Sequence, residues 1–368
     1  MKHICYITGL YSRYDPVIFG RQAMGLMKKK DVKITIVVCD EKPDEILNGI
    51  QIYSTRYKPT NRWKRFINTK RKLVELADRI DADVYQINDP EHIDLVEHFK
   101  RMGKKVVLNM REDYLTLIKR KQYLPYIIRG IAAYYYKILM KKYLHKYDVI
   151  YTVAPKIVNR MESEIGLRNM KLLTNYPIPN ENYRLTKDEY LKRENVVFYE
   201  GTIYKISRQE VFLDAISRVN NIRYLVAGVI EEGYESITKH PGWKDVEFIN
   251  GFKLADLPGY FSRSTISNTL RDFGGLDGSL GVIKIFESME AALPVIFSDV
   301  PIYRDIVEKY KCGICVDPNN SDEIEKAIRF LVDNKEAAYE MGQNGRKAVL
   351  EVFNWWNQLE IYYQNLYN

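Results

Sequence analysis

The stretch Ser279 to Pro301, SLGVIKIFESMEAALPVIFSDVP, constrains the chain more than any other. Val282, Ile285, Phe286, Met289 and Leu293 recur at helical spacing, which predicts a helix from about Val282 to Ala292 with one buried stripe. Pro294 cannot continue that helix. Val295-Ile296-Phe297 is short and uniformly apolar, the pattern of a strand covered on both faces of a parallel sheet. In front of the helix lies Gly274-Gly275-Leu276-Asp277-Gly278-Ser279-Leu280-Gly281. A glycine-rich loop before a helix N-terminus offers N–H groups and the positive end of a dipole, which suits a phosphate. Lys284 adds a cation to the same end, and Glu287, one turn on, can accept two hydrogen bonds from a vicinal diol such as a ribose. Together they would hold a nucleotide by its charge and its sugar. A solvated Lys–Glu pair on an ordinary helix is the alternative these residues leave open.

The same alternation runs through the chain. His3 to Thr8 reads as a strand ending at Gly9, the loop Tyr11 to Pro16 follows, Val17 to Lys30 reads as a helix, and Val32 to Cys39 as a strand. Strand–helix–strand at this spacing begins a doubly wound parallel α/β sheet, whose ligands bind beyond the carboxyl ends of the strands. Val84 to Asp89 and Val106 to Met110 are further strands, so Asp89, Arg111 and Glu112 fall at candidate site edges. Asp148 to Val153 reads as the last strand of the first half. Val196 to Gly201 opens a second sheet, continued by Ile222 to Val229, Val246 to Phe252 and Thr265 to Leu270. The loop after Gly201-Thr202 carries Lys205 and Arg208, cations able to neutralise a diphosphate.

At 368 residues the chain is long enough for two cored domains. The expected division is residues 1–178, joined by part of a C-terminal helix within 352–368, and residues 179–351, with a polar hinge near 177–195. Net charge is uneven. Residues 1–178 hold 34 Lys/Arg against 19 Asp/Glu (+15), and the remainder 22 against 29 (−7). The basic half suits an anionic surface, lipid or nucleic acid, although no nucleic-acid motif accompanies it. Residues 46–74 contain no acid, and Arg56, Lys58, Arg62, Lys64, Arg65, Lys70, Arg71 and Lys72 are interleaved there with Tyr57, Trp63 and Phe66. Tyr123 to Tyr147 again lacks acids, holds seven tyrosines, and repeats apolar residues at helical spacing, as a helix lying on an anionic membrane would. A domain helix with core tyrosines fits the same pattern. No apolar run is long enough to span a bilayer, the N-terminus enters a strand directly, and four cysteines suit a reducing, cytoplasmic setting. Asp81-Ala-Asp83 lacks the accompanying ligands of a metal site, and Cys312-Gly-Ile-Cys315 reads as structural cysteines in a strand.

Lys284-Ile-Phe-Glu287-Ser-Met and Ala291-Ala-Leu-Pro294-Val-Ile-Phe-Ser298-Asp299-Val-Pro301 resemble the donor-site signature of the family 4 (group 1) retaining glycosyltransferases. Asp15-Pro16, Asn175-Tyr-Pro177 and Phe353-Asn-Trp355 are similar to other parts of that family's pattern. The resemblance implies the GT-B fold: two Rossmann-like domains facing an interdomain cleft, with the C-terminal helix returning to the first. It implies transfer of a sugar from a UDP- or GDP-linked donor, with no cofactor and no metal, to a glycan or lipid-linked hydroxyl in cell-surface polysaccharide synthesis. The expected setting is cytoplasmic, peripheral on the inner face of the plasma membrane. By the same resemblance Glu287 takes the ribose, and Lys205 and Arg208 the diphosphate. Gly201, Thr202, Gly278, Ser279, Leu280, Gly281 and Lys284 line the donor phosphate and sugar, and Phe252 the base. Asp89, Arg111 and Glu112 lie on the acceptor side. The chain departs from the family pattern at Ser279, where a first glutamate is usual, at Thr202 for an arginine, at Gln209 for a glycine, and at Asn109 and Arg111 for an aspartate and a histidine. A non-catalytic scaffold partner of an active transferase is the alternative those departures raise.

Overall fold

The computed structural model describes residues 1–59, 68–120, 125–180, 183–274 and 282–367. The chain divides into two compact units, residues 1–175 with 355–368, and residues 176–354.

The first unit carries an eight-stranded sheet. Its strands are β1 (Lys2–Thr8), β2 (Val32–Val38), β3 (Glu45–Leu47), β4 (Ile50–Ser54), β5 (Val84–Ile87), β6 (Lys105–Met110), β7 (Val149–Thr152) and β8 (Met170–Leu172). The order is β3-β4-β2-β1-β5-β6-β7-β8, parallel except for the β3–β4 pair. Central β1 is buried from Ile4 to Thr8, as a strand covered on both faces must be. Three strands correct the sequence reading. β7 is not the last strand of this half, because β8 pairs beside it, and no strand was expected where β3 and β4 lie, at the start of the acid-free stretch 46–74. β3 and β8 are three-residue edge strands and β4, between β3 and β2, has only five residues, so each carries little periodic signal.

Helix α1 (Tyr126–Tyr143) buries Ala133, Met140 and Tyr143. It leaves Tyr126, Ile127, Ile131, Tyr134 and Tyr135 exposed. Helix α3 (Trp355–Tyr367) belongs to this unit although it lies at the far end of the sequence from β1. Trp355, Leu359, Tyr362 and Leu366 enter the core beneath β1. The Tyr362 hydroxyl lies 2.9 Å from the Tyr6 hydroxyl and donates to Gln86 Oε1 at 2.5 Å. Lys105 Nζ donates to the Asn365 carbonyl at 2.8 Å, a C-cap by a lysine.

The second unit has six parallel strands: β9 (Val196–Glu200), β10 (Arg223–Gly228), β11 (Val246–Asn250), β12 (Ile266–Asn268), β13 (Val295–Ser298) and β14 (Gly313–Val316), in the order β11-β10-β9-β12-β13-β14. Helix α2 spans Ile283–Glu290, shorter than the expected Val282 to Ala292. Ala292 takes the left-handed conformation (φ +59°), so the chain turns before Pro294 is reached. The stripe Ile285, Phe286, Met289 and Leu293 is fully buried, and Val282 half-buried. Within the described part of residues 177–195, Tyr190 is 1% exposed and donates to the Thr265 carbonyl at 2.7 Å. Cys312 and Cys315 are free thiols flanking and within β14, each pushed up to about 12 by burial.

Candidate functional site

In the second sheet the chain runs outward from β9 to β11, then returns to the opposite side of β9 with β12. The crevice beyond the ends of β9 and β12 is therefore the topological switch point, where doubly wound sheets place ligands. A cavity of about 310 Å³ opens there. Tyr199, Glu200, Gly201 and Thr202 reach it from β9, Tyr204, Ile206 and Ser207 from the following turn, Phe252 from beyond β11, Leu270 and Arg271 from beyond β12, and Lys284 and Glu287 from α2.

The loop after β9 is shaped by two glycines. A Cβ on Gly228, which ends β10, would collide with the Gly201 carbonyl, so the backbones meet only because that position lacks one. Gly201 takes φ +97° and donates its N–H to the Ala227 carbonyl at 2.8 Å. Beneath the loop runs a buried polar chain. Asn268 Nδ2 donates to the Tyr224 hydroxyl at 2.9 Å, that hydroxyl donates to Gln209 Oε1 at 2.5 Å, and Gln209 Nε2 donates to the Ser207 carbonyl at 3.1 Å. Gln209 thus fixes the turn from below.

The cations divide between cavity and turn. Lys284 Nζ sits 4.1 Å from the Tyr199 ring centroid and donates to the Glu200 carbonyl at 3.4 Å. Arg271 lies over the Tyr204 ring at 5.8 Å, and its backbone N–H donates to Ser298 Oγ at 2.8 Å. Arg208 is held by Asp272 at 2.6 Å and by Glu210 at 3.6 Å, outside the cavity lining. Lys205 is exposed on the same turn, also outside the lining. Glu200 is buried against Glu287. Burial first, then the Glu287 charge, push its carboxyl well above the ordinary range, and Lys284 opposes them.

Of the expected donor residues, the structure brings Gly201, Thr202, Phe252, Lys284 and Glu287 to one cavity. Gly278, Ser279, Leu280 and Gly281 lie outside the described residues, as do Arg62 to Phe66. Sequence reasoning missed Glu200, Tyr199, Tyr204 and Arg271. Glu200 had a legible signal, a carboxyl ending an otherwise apolar strand just before a glycine.

The residues assigned to the acceptor side are used within the first unit. Asp89 is 1% exposed. It accepts from Thr8 Oγ1 at 2.9 Å, Gly9 N at 2.5 Å and Leu10 N at 3.3 Å. Arg111 pairs with Asp15 at 3.0 Å and lies over the Tyr11 ring at 4.5 Å. Glu112 is exposed. Of the Asp-x-Asp sequence, Asp81 pairs with Lys104 at 2.6 Å and Asp83 accepts the His3 N–H at 2.7 Å.

Fold likeness gives the class. Sucrose-phosphate synthase from Thermosynechococcus elongatus is similar over 100% of this chain and 99% of its own, with TM-score 0.70 at 16% identity. The Anabaena protein HepE in complex with UDP and glucose is similar over 100% and 99%, with TM-score 0.69 at 12% identity. The fold is GT-B, two Rossmann-like α/β units. Residues 185–348, nearly the whole second unit, match the model of the family "Glycosyl transferases group 1". Curated relatives agree. An uncharacterised glycosyltransferase of Haemophilus influenzae is 27% identical over 55% of this chain, and one of Methanocaldococcus jannaschii is 24% identical over 65%. The matches span 58% and 67% of those proteins' lengths.

Proposed function

We propose that the chain transfers a glycosyl group, with retention, from a UDP- or GDP-linked sugar to a hydroxyl of a glycan or lipid-linked acceptor, in cell-surface polysaccharide synthesis. The observation that carries this reading is the switch-point cavity, which combines a half-buried carboxylate, Glu287, with two cations, Lys284 and Arg271. Structures of similar fold hold UDP and glucose, and UDP-2-fluoro glucose, which favours a uridine diphosphate donor. Glu287 accepts from the ribose diol, Phe252 lies against the base, and Gly201, Thr202 and Lys284 face the phosphates. Lys205 and Arg208 add charge from the adjoining turn, Arg208 by exchanging Asp272 for phosphate. The leaving diphosphate is met by these cations and by backbone N–H groups, so no divalent metal is required. The test is turnover of UDP-glucose and GDP-mannose by Glu287→Ala and by the double variant Lys205→Ala/Arg208→Ala. Loss of donor hydrolysis with unchanged thermal stability is expected; wild-type activity in either variant would refute the assignment.

The lipid-linked acceptor is favoured by α1. Among the described residues no helix is long and apolar enough to cross a membrane. Yet α1 exposes Tyr126 at 83%, Ile127 at 74% and Ile131 at 65%, with Arg129, Lys137, Lys141 and Lys142 on the same acid-free helix. Such a face enters the interface of an anionic bilayer. The protein should float with anionic liposomes and less so as Lys141→Ala/Lys142→Ala. Equal flotation on neutral lipid would remove the electrostatic account.

A further inference from the structure

Glu200 closes β9, is 6% exposed, and still lines the cavity. Its Oε1 has no hydrogen-bond partner among the described residues. Lys284 is directed to its backbone carbonyl and to the Tyr199 ring. Among the described residues, Glu287 lies within hydrogen-bonding reach of the Glu200 carboxyl. Two ionised carboxylates only accept, so two of them in contact away from water repel. A single proton between them turns that repulsion into a hydrogen bond. Glu200 is the deeper of the two, while Glu287 is half-buried on the first turns of α2 beside Lys284, so the proton resides on Glu200.

We propose that Glu200 is a positioning residue that stays protonated and donates to Glu287, aiming that carboxylate at the donor's ribose, and that nucleotide binding weakens as this proton is lost. The proposal rests on the reading of Glu287 as the ribose acceptor. The Glu200 proton fixes the orientation of the Glu287 carboxylate. The pocket then presents one negative charge, not two, to an anionic ligand.

The charged and titratable surroundings are consistent with this. Glu287, Lys284 and Glu290 come from α2, Tyr199 from β9, and Arg271 from beyond β12. Tyr183 faces Glu290, Glu200 and Glu287; burial and then their charges keep it neutral. Arg346 opposes them only partly, since its guanidinium donates to the Glu290 carbonyl at 2.7 Å. The carboxyl of Glu200 is raised by burial and by Glu287. In the unfolded chain a glutamate loses its proton above pH ~4.3. The folded state keeps it to higher pH, so stability is fully present below the unfolded value and falls as pH climbs toward the folded one.

The experiment compares the full chain with Glu200→Gln and Glu287→Gln between pH 5 and 9. Thermal denaturation without nucleotide is the first readout. The wild-type Tm should fall relative to Glu200→Gln as pH rises, and Glu287→Gln should flatten the curve as well. Calorimetry with UDP and GDP is the second. Wild-type affinity should drop about tenfold per pH unit once the proton leaves. Glu200→Gln, which retains a donor to Glu287, should bind within about threefold of wild type at pH 6 and show no such drop. Parallel Tm curves for wild type and Glu200→Gln would overturn the proposal. A widening Tm gap with binding of neither nucleotide would support the proton on Glu200 and overturn the donor reading instead.

Discussion

The two units solve the same topological problem in opposite ways. In the second, the switch point between β9 and β12 is open, and polar side chains converge on a cavity. In the first, the corresponding switch point lies between β1 and β5. There it is sealed. Asp89, just past β5, reaches across to Thr8, Gly9 and Leu10 just past β1. The side of Gly9 where a Cβ would stand is filled by Thr69 and Leu73, both fully buried. The lesson concerns how a polar residue at a strand end is to be read. Such a residue marks a ligand site only when its hydrogen bonds are not already spent on the fold.

That contrast makes predictions that separate turnover from stability. The largest effect is expected at Lys284 and Glu287. Lys284→Ala and Glu287→Ala should each lower donor turnover about 100-fold, the scale of losing one preorganised charge contact, with little change in Tm. A turnover close to wild type would erase the distinction between the units. Next, Gly228→Ala forces β10 and the Gly201 loop apart and should destabilise the second unit by about 2 kcal/mol in urea titration, with loss of nucleotide binding. In the first unit, Asp89→Ala orphans two backbone N–H groups and should cost about 2 kcal/mol of stability while the KM for the donor stays unchanged. A raised donor KM with intact stability would mean that Asp89 faces substrate. Arg111→Ala should have the smallest effect, about 1 kcal/mol, because its partner Asp15 still caps the following helix through the Val17 and Ile18 N–H groups.

The pH dependence sharpens the same comparison, for Asp89 and Glu200 are both buried carboxyls raised by desolvation. They differ in their partners. Asp89 receives hydrogen bonds from two N–H groups and a hydroxyl and is further countered by His92, all of which favour its ionised form. Glu200 meets another carboxyl, which favours its neutral form. Removing either carboxyl should therefore lessen the fall of stability with rising pH, and removing it at 89 should also lower the curve as a whole, because two N–H groups lose their acceptor.

Much was legible without coordinates. Apolar periodicity gave α2 and β13 because burial on both faces leaves little choice of residue, and the same reasoning located β1, β2, β5, β6, β9 and β10. Lys284 and Glu287 were recognisable from their spacing on a helix behind a glycine-rich loop. The edge strands β3 and β8, and β4 beside β3, escaped notice because three- to five-residue strands carry little periodic signal. Arg208 and Lys205 were recognisable as cations, but not which of them would be tied to Asp272.

Sequence by itself determined the class: alternating buried strands and amphipathic helices, twice over, with a loop–helix–strand unit fit for a nucleotide. Local pattern is sufficient there, because each element's burial is written into its own residues. Only the tertiary structure decided which polar groups remain available. Asp89 and Arg111 are consumed by partners 81 and 96 residues away, and Glu200 meets Glu287 across the crevice between β9 and α2. Pairings between residues so distant in the chain are set by sheet order and desolvation, which no local window contains.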